Sequence, residues 1–93
     1  MLTSEQIRAA RAMLRIEQKA LAEMAGISLE TVKRIERMPG AVSAYASTVD
    51  AIAHALESAG VEFIAGNGGG CGVRLKAEPQ SIPVDQLNAS NDD

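Results

Sequence analysis

Residues 26–37, GISLETVKRIER, carry seven polar or charged side chains in twelve positions. Ser28, Glu30, Thr31, Lys33 and Arg34 bring hydroxyl, carboxylate and cationic groups together within about two helical turns. Such a set can exchange hydrogen bonds with a charged or polar surface. It can equally form a solvated helix face, on which Glu30 and Arg34, four residues apart, would pair for only about 0.3 kcal/mol.

Other reactive groups in the chain do not combine. One histidine, one cysteine and scattered carboxylates cannot supply a nucleophile, a base and an orienting partner together, so no enzyme activity, no metal site and no cofactor is expected. His54 falls between Ala53 and Leu56 with no second ligand at metal-binding spacing, which reads as an edge or surface histidine. GNGGGCG, residues 66–72, lacks the Lys-Ser/Thr of a phosphate-binding loop and precedes a strand pattern rather than a helix. It reads as a hairpin loop, with Cys71 a single accessible thiol.

The chain's 93 residues suit one small domain. With one Phe, one Tyr and no Trp, the core must come from Leu, Ile, Val and Met on closely packed helices. A net charge of -3 conceals an asymmetry: residues 1–40 hold seven Lys/Arg against five acids, and the remainder two against seven. A local basic face of this kind is what a phosphate backbone responds to. The N-terminal MLTSEQIRAARAML has charges throughout and no continuous apolar run, so neither a signal peptide nor a membrane span is expected. Together with the absence of any possible internal disulfide, this predicts a soluble cytoplasmic protein.

Hydrophobic spacing predicts four helices. The first, residues 4–15, opens at Ser4 and buries Ile7, Ala10 and Leu14. A short second helix buries a face with Leu21, Met24 and Ala25 and ends at Gly26. Ser28 caps a third, anchored by Val32 and Ile35, which MPG (residues 38–40) interrupts. The fourth begins near Ser47, where Ser47 and Asp50 form a capping-box-like pair, buries Val49, Ile52 and Leu56, and closes at Gly60. VEFI (61–64) and VRLK (73–76) then read as the strands of a β-hairpin. Residues 77–93 are polar, acidic and proline-broken and read as a disordered tail. The expected organisation is a helical unit over 1–60, a hairpin over 61–76 and the tail over 77–93.

Between the second and third helices, small and apolar residues recur at Gln18, Ala22, Gly26, Ile27, Ser28, Val32 and Ile35. Ala22 suits a close helix crossing, Gly26 turns the chain, and Ile27 fills the space beneath the turn. This spacing is that of a helix-turn-helix, and EQKALAEMAGISLETVKRIER resembles the core motif of the lambda-repressor-like, or Xre/Cro-type, helix-turn-helix regulators. The resemblance extends over residues 4 to about 59 and implies a mainly α, compact four-helix domain followed by a hairpin. Glu17 departs from the small polar cap of many relatives, and Ile16 from their usual residue at that position.

Transferred position by position, the resemblance places the third helix in the DNA major groove. Leu29, Glu30 and Arg34 become base-reading candidates: Arg34 for guanine O6/N7, Glu30 for cytosine N4, Leu29 for a thymine methyl. Gln18 and Ser28 become phosphate donors, and Thr31 and Lys33 contact bases or phosphates. Arg11 and Glu36 are implied to form a structural ion pair between the first and third helices, leaving Arg8 and Arg15 to phosphates or solvent. Val61, Phe63, Val73 and Leu75 form one apolar face of the hairpin, which must pack on the helices or on a partner; edge pairing with a second copy would give a homodimer. The expected function is a dimeric repressor of double-stranded, palindromic operator DNA. The alternative is an antitoxin or protein-interaction module whose acidic tail binds a protein partner.

Overall fold

In a computed structural model of the chain, residues 2–76 are described. Four helices, α1 (Ser4–Leu14), α2 (Gln18–Ala25), α3 (Leu29–Arg37) and α4 (Ala46–Ser58), precede the strands β1 (Val61–Ile64) and β2 (Gly72–Leu75). The tail over 77–93, with its protein-partner reading, lies outside the described residues.

One core joins the four helices and β1: Ile7 and Ala10 from α1, Leu21 and Ala22 from α2, Val32 and Ile35 from α3, Ile52, Ala55 and Leu56 from α4, and Val61 from β1, with Val73 of β2 packed against it. Alanine at positions 10, 22 and 55 lets the helix backbones approach closely, which compensates for the lack of large aromatics in the core. Ala22, rather than Met24, is the second inward residue of α2; Met24 is 44% exposed because the helix turns its side chain away from the core.

The α1 helix starts at Ser4 as expected but with a different cap, and the start of α4 differs. At α1 the cap is Thr3, whose hydroxyl accepts from the Gln6 amide while the Gln6 side chain accepts from Thr3 N–H, a reciprocal capping box. Ser4 is then the first helical residue, fully buried, and its hydroxyl donates to the Met38 carbonyl. The α4 helix starts one residue earlier than expected, behind Tyr45, and no side chain caps it. Tyr45 sets the start through its own carbonyl, which accepts from both Thr48 and Val49.

The hairpin is antiparallel, pairing Val61 with Leu75, Glu62 with Arg74, Phe63 with Val73 and Ile64 with Gly72. Its period-two alternation puts Val61, Phe63, Val73 and Leu75 on one face, and that face folds onto the chain's own helices. Val61 is wholly buried and is thus not available to a second chain; Phe63 and Val73 pack against the core, while Leu75 stays 52% exposed. Gln6 fastens the hairpin to α1 by donating to the Ile64 and Gly72 carbonyls at 3.3 and 2.8 Å. At its other end Lys76 donates from its backbone to Gly60 O and from Nζ to Glu57 O at the end of α4.

Candidate nucleic-acid interface

The turn between α2 and α3 spans only residues 26–28. Gly26 has φ 69°, a left-handed conformation that a side chain would strain. From it the chain folds back so that Gly26 N–H reaches Glu23 O and Ile27 N–H reaches Ala22 O, satisfying carbonyls that the helix end would leave free. Ser28 then starts α3: its hydroxyl accepts from Thr31 N–H at 3.1 Å and lies 2.8 Å from the Thr31 hydroxyl.

The two faces of α3 have opposite chemistry. Inward, Val32 and Ile35 are sealed in the core beside Glu36, which is 3% exposed. A buried carboxylate is costly unless its oxygens are paired, and Glu36 has three donors. Arg11 Nε and one terminal nitrogen reach its two oxygens at 2.6 and 2.8 Å, and Gln18 Nε2 reaches Oε1 at 3.0 Å. Arg8 adds a bond to the Glu36 backbone carbonyl, and Arg11 another to Ile16 O. Its hydrogen bonds to Glu36 push the Arg11 guanidinium pKa up, against the opposing effect of burial. Three helices are thereby clamped around one residue of α3.

Outward, Glu30, Arg34 and Arg37 are exposed, and Leu29, Thr31 and Lys33 are half-buried at the edge of the same face. Among the described residues the ion pairs are Arg8–Glu5, Arg11–Glu36 and Arg74–Glu62, so Glu30 and Arg34 do not engage each other. Beside this face, between the first turns of α2 and α3, lies an open depression of about 390 Å³ lined by Arg11, Glu17, Gln18, Lys19, Leu29 and Lys33. The Glu17 side chain makes no capping bond, which leaves the first amides of α2 pointing outward with the positive end of the helix dipole. Lys19 and Lys33 add to that potential and Glu17 subtracts from it.

A helix-turn-helix family model matches residues 7–59, from α1 through the end of α4. The chain belongs to the helix-turn-helix family. Its type is that of the lambda repressor and Xre proteins, and its kind of function is DNA-binding transcription regulation. No curated protein matches the chain. Within this helix-turn-helix, Leu29, Glu30, Thr31, Lys33, Arg34 and Ser28 gather on or beside one surface, whereas the Gln18 amide turns inward to Glu36. Lys19 and Arg37 join that surface without having been singled out in the sequence. For Arg37 the signal was spacing, since it lies four residues after Lys33 and three after Arg34; Lys19, on the other helix, had none. His54 and Cys71 are exposed and lie away from it, Cys71 near the Thr3 hydroxyl at 3.9 Å. Among the described residues no helix is long and apolar enough to cross a membrane.

Proposed function

We propose that the protein is a dimeric, sequence-specific repressor that lays α3 in the major groove of a palindromic operator. The division of α3 into a clamped inner face and an outer face whose Glu30, Lys33, Arg34 and Arg37 make no ion pair among the described residues carries this reading. A recognition element must be rigid behind and free in front. Arg34 donates to guanine O6 and N7, Glu30 accepts from cytosine N4, and Leu29 packs on a thymine methyl. Ser28, Thr31 and Lys33 hold the flanking phosphates together with the open amides at the start of α2. Gln18 contributes its backbone amide there, because its side chain serves Glu36.

In the second copy the same face reads the other half-site, about one helical turn away. The open edges of the hairpin, with the exposed Leu75 beside them, are the pairing surface. Repression follows by occlusion when the two half-sites overlap a promoter.

Arg34→Ala tests the reading by titration against an operator variant series obtained from a selected pool. The substitution should cost about 1–3 kcal/mol on the preferred operator and flatten the preference at one base pair per half-site. A uniform loss across all sequences would instead make Arg34 a phosphate contact.

A further inference from the structure

The cationic surface around α3 has a second candidate occupant in the chain itself. Lys19, Lys33, Arg34 and Arg37 make no ion pair among the described residues, although Glu23 and Glu30 stand on the same two helices and Glu17 directly precedes α2. Residues 77–93, AEPQSIPVDQLNASNDD, hold Glu78, Asp85, Asp92 and Asp93 and no Lys or Arg. They continue from Lys76, which is tied to the body by its bonds to Gly60 O and Glu57 O. An extended stretch of seventeen residues reaches about 56 Å. A domain of some 75 residues has a radius of gyration of only about 11 Å, so every point on its surface is within reach of this stretch.

We infer that residues 77–93 act as an intramolecular polyanion, occupying the Lys19–Lys33–Arg34–Arg37 surface and competing there with DNA. The inference rests on the DNA-binding reading of that surface. Tethering gives such a segment an effective concentration on the order of millimolar, enough for a weak contact of four carboxylates to be populated. DNA must displace it before binding, whatever the sequence. The apparent affinities for operator and random duplex therefore fall by the same factor, and the factor shrinks as salt screens the contact over a Debye length of about 8 Å at physiological strength.

The test uses the full chain and a full-length variant with E78Q, D85N, D92N and D93N, which leaves every core residue in place. Without DNA, backbone amide shifts of residues 19 and 30–37 should differ between the two proteins at low salt and converge at high salt. With DNA at low salt, the variant should bind operator and random duplex each roughly three- to tenfold more tightly, the gain vanishing as salt rises. An affinity gain without shift differences on α2 and α3 would be an effect of net charge alone, and it would overturn the contact. Identical shifts and identical affinities would overturn it too. Shift differences in a protein that binds neither duplex would support the tail contact while refuting the DNA-binding reading of the surface, so the two failures are distinguishable.

Discussion

Glu36 is the residue on which the geometry of α3 depends. Its two oxygens receive Arg11 twice and Gln18 once, and removing one partner of a buried ion pair leaves the other charge uncompensated. Arg11→Met should therefore lower unfolding free energy by about 3 kcal/mol in urea titrations, and replacing Glu36 with Leu in the same chain should recover much of that loss. Arg15 presents the opposite case. It ends α1 at φ 59°, where a side chain costs about 1–2 kcal/mol and glycine does not. Arg15→Gly should raise stability by about 0.5–1 kcal/mol in the same titrations, after allowing for the greater freedom of glycine in the unfolded chain. These two sites differ in how far sequence spacing disclosed them. The Arg11–Glu36 pair came from family resemblance, since nothing in the spacing of residues 25 apart brings them together. The inward turn of Gln18 was not legible, because a glutamine at a helix start reaches equally well toward solvent or a neighbouring helix. Arg15 read as the end of the first helix and a cation left to phosphates or solvent; its left-handed conformation, atypical of arginine, was not legible.

The elements were mostly legible, and their ends less so. Apolar spacing located all four helices and both strands because each buries a regular stripe, as Ile7 with Ala10 and Val32 with Ile35 do. The cap of α1 moved from Ser4 to Thr3 because adjacent residues compete for it: Thr3 has Gln6 three positions on, which Ser4 lacks, and Ser4 is needed by Met38 O across the fold. Ser47 and Asp50 matched a cap pattern in sequence, but the tertiary path had already begun the helix behind Tyr45. The hairpin depends on contacts of a different kind. On its outer face Arg74 donates to both Glu62 oxygens at 3.1 and 3.2 Å, and these hydrogen bonds, with the attraction between the charges, hold the Glu62 carboxyl below the usual carboxylate range. Glu5 is held low as well, chiefly by its own backbone amide and that of Gly40. A carboxyl depressed on folding contributes stability that is fully present above its unfolded pKa and is lost as pH falls through its folded value. Stability should thus be flat near neutrality and decline below the ordinary glutamate range. Glu62→Gln should lower the neutral level slightly and leave the acid limit nearly unchanged, so that the profile between them is shallower, as followed by urea titration from pH 7 to pH 3.

At the scale of the molecule, an acidic protein presents a basic working surface. The net charge of -3 follows from the excess of acids beyond residue 40, while α2 and α3 carry the exposed Lys19, Arg34 and Arg37 beside Lys33. Binding to duplex DNA should for that reason be weak and salt-sensitive where the sequence is wrong, and selective where base contacts form. A split of charge by position was readable in the sequence; that the hairpin would spend its apolar face on its own helices was not, since the same alternation suits a partner chain. In the proposed dimer the pairing falls to the hairpin edges and Leu75, and its imprint should be found in the DNA. The most direct measurement is selection of bound duplexes from a random pool by the full chain at moderate salt. Enrichment of inverted half-sites about one helical turn apart, lost at a single position per half-site with Arg34→Ala, is the expected result. A pool that stays random after repeated selection, with binding that depends only on salt, would contradict sequence-specific recognition by α3.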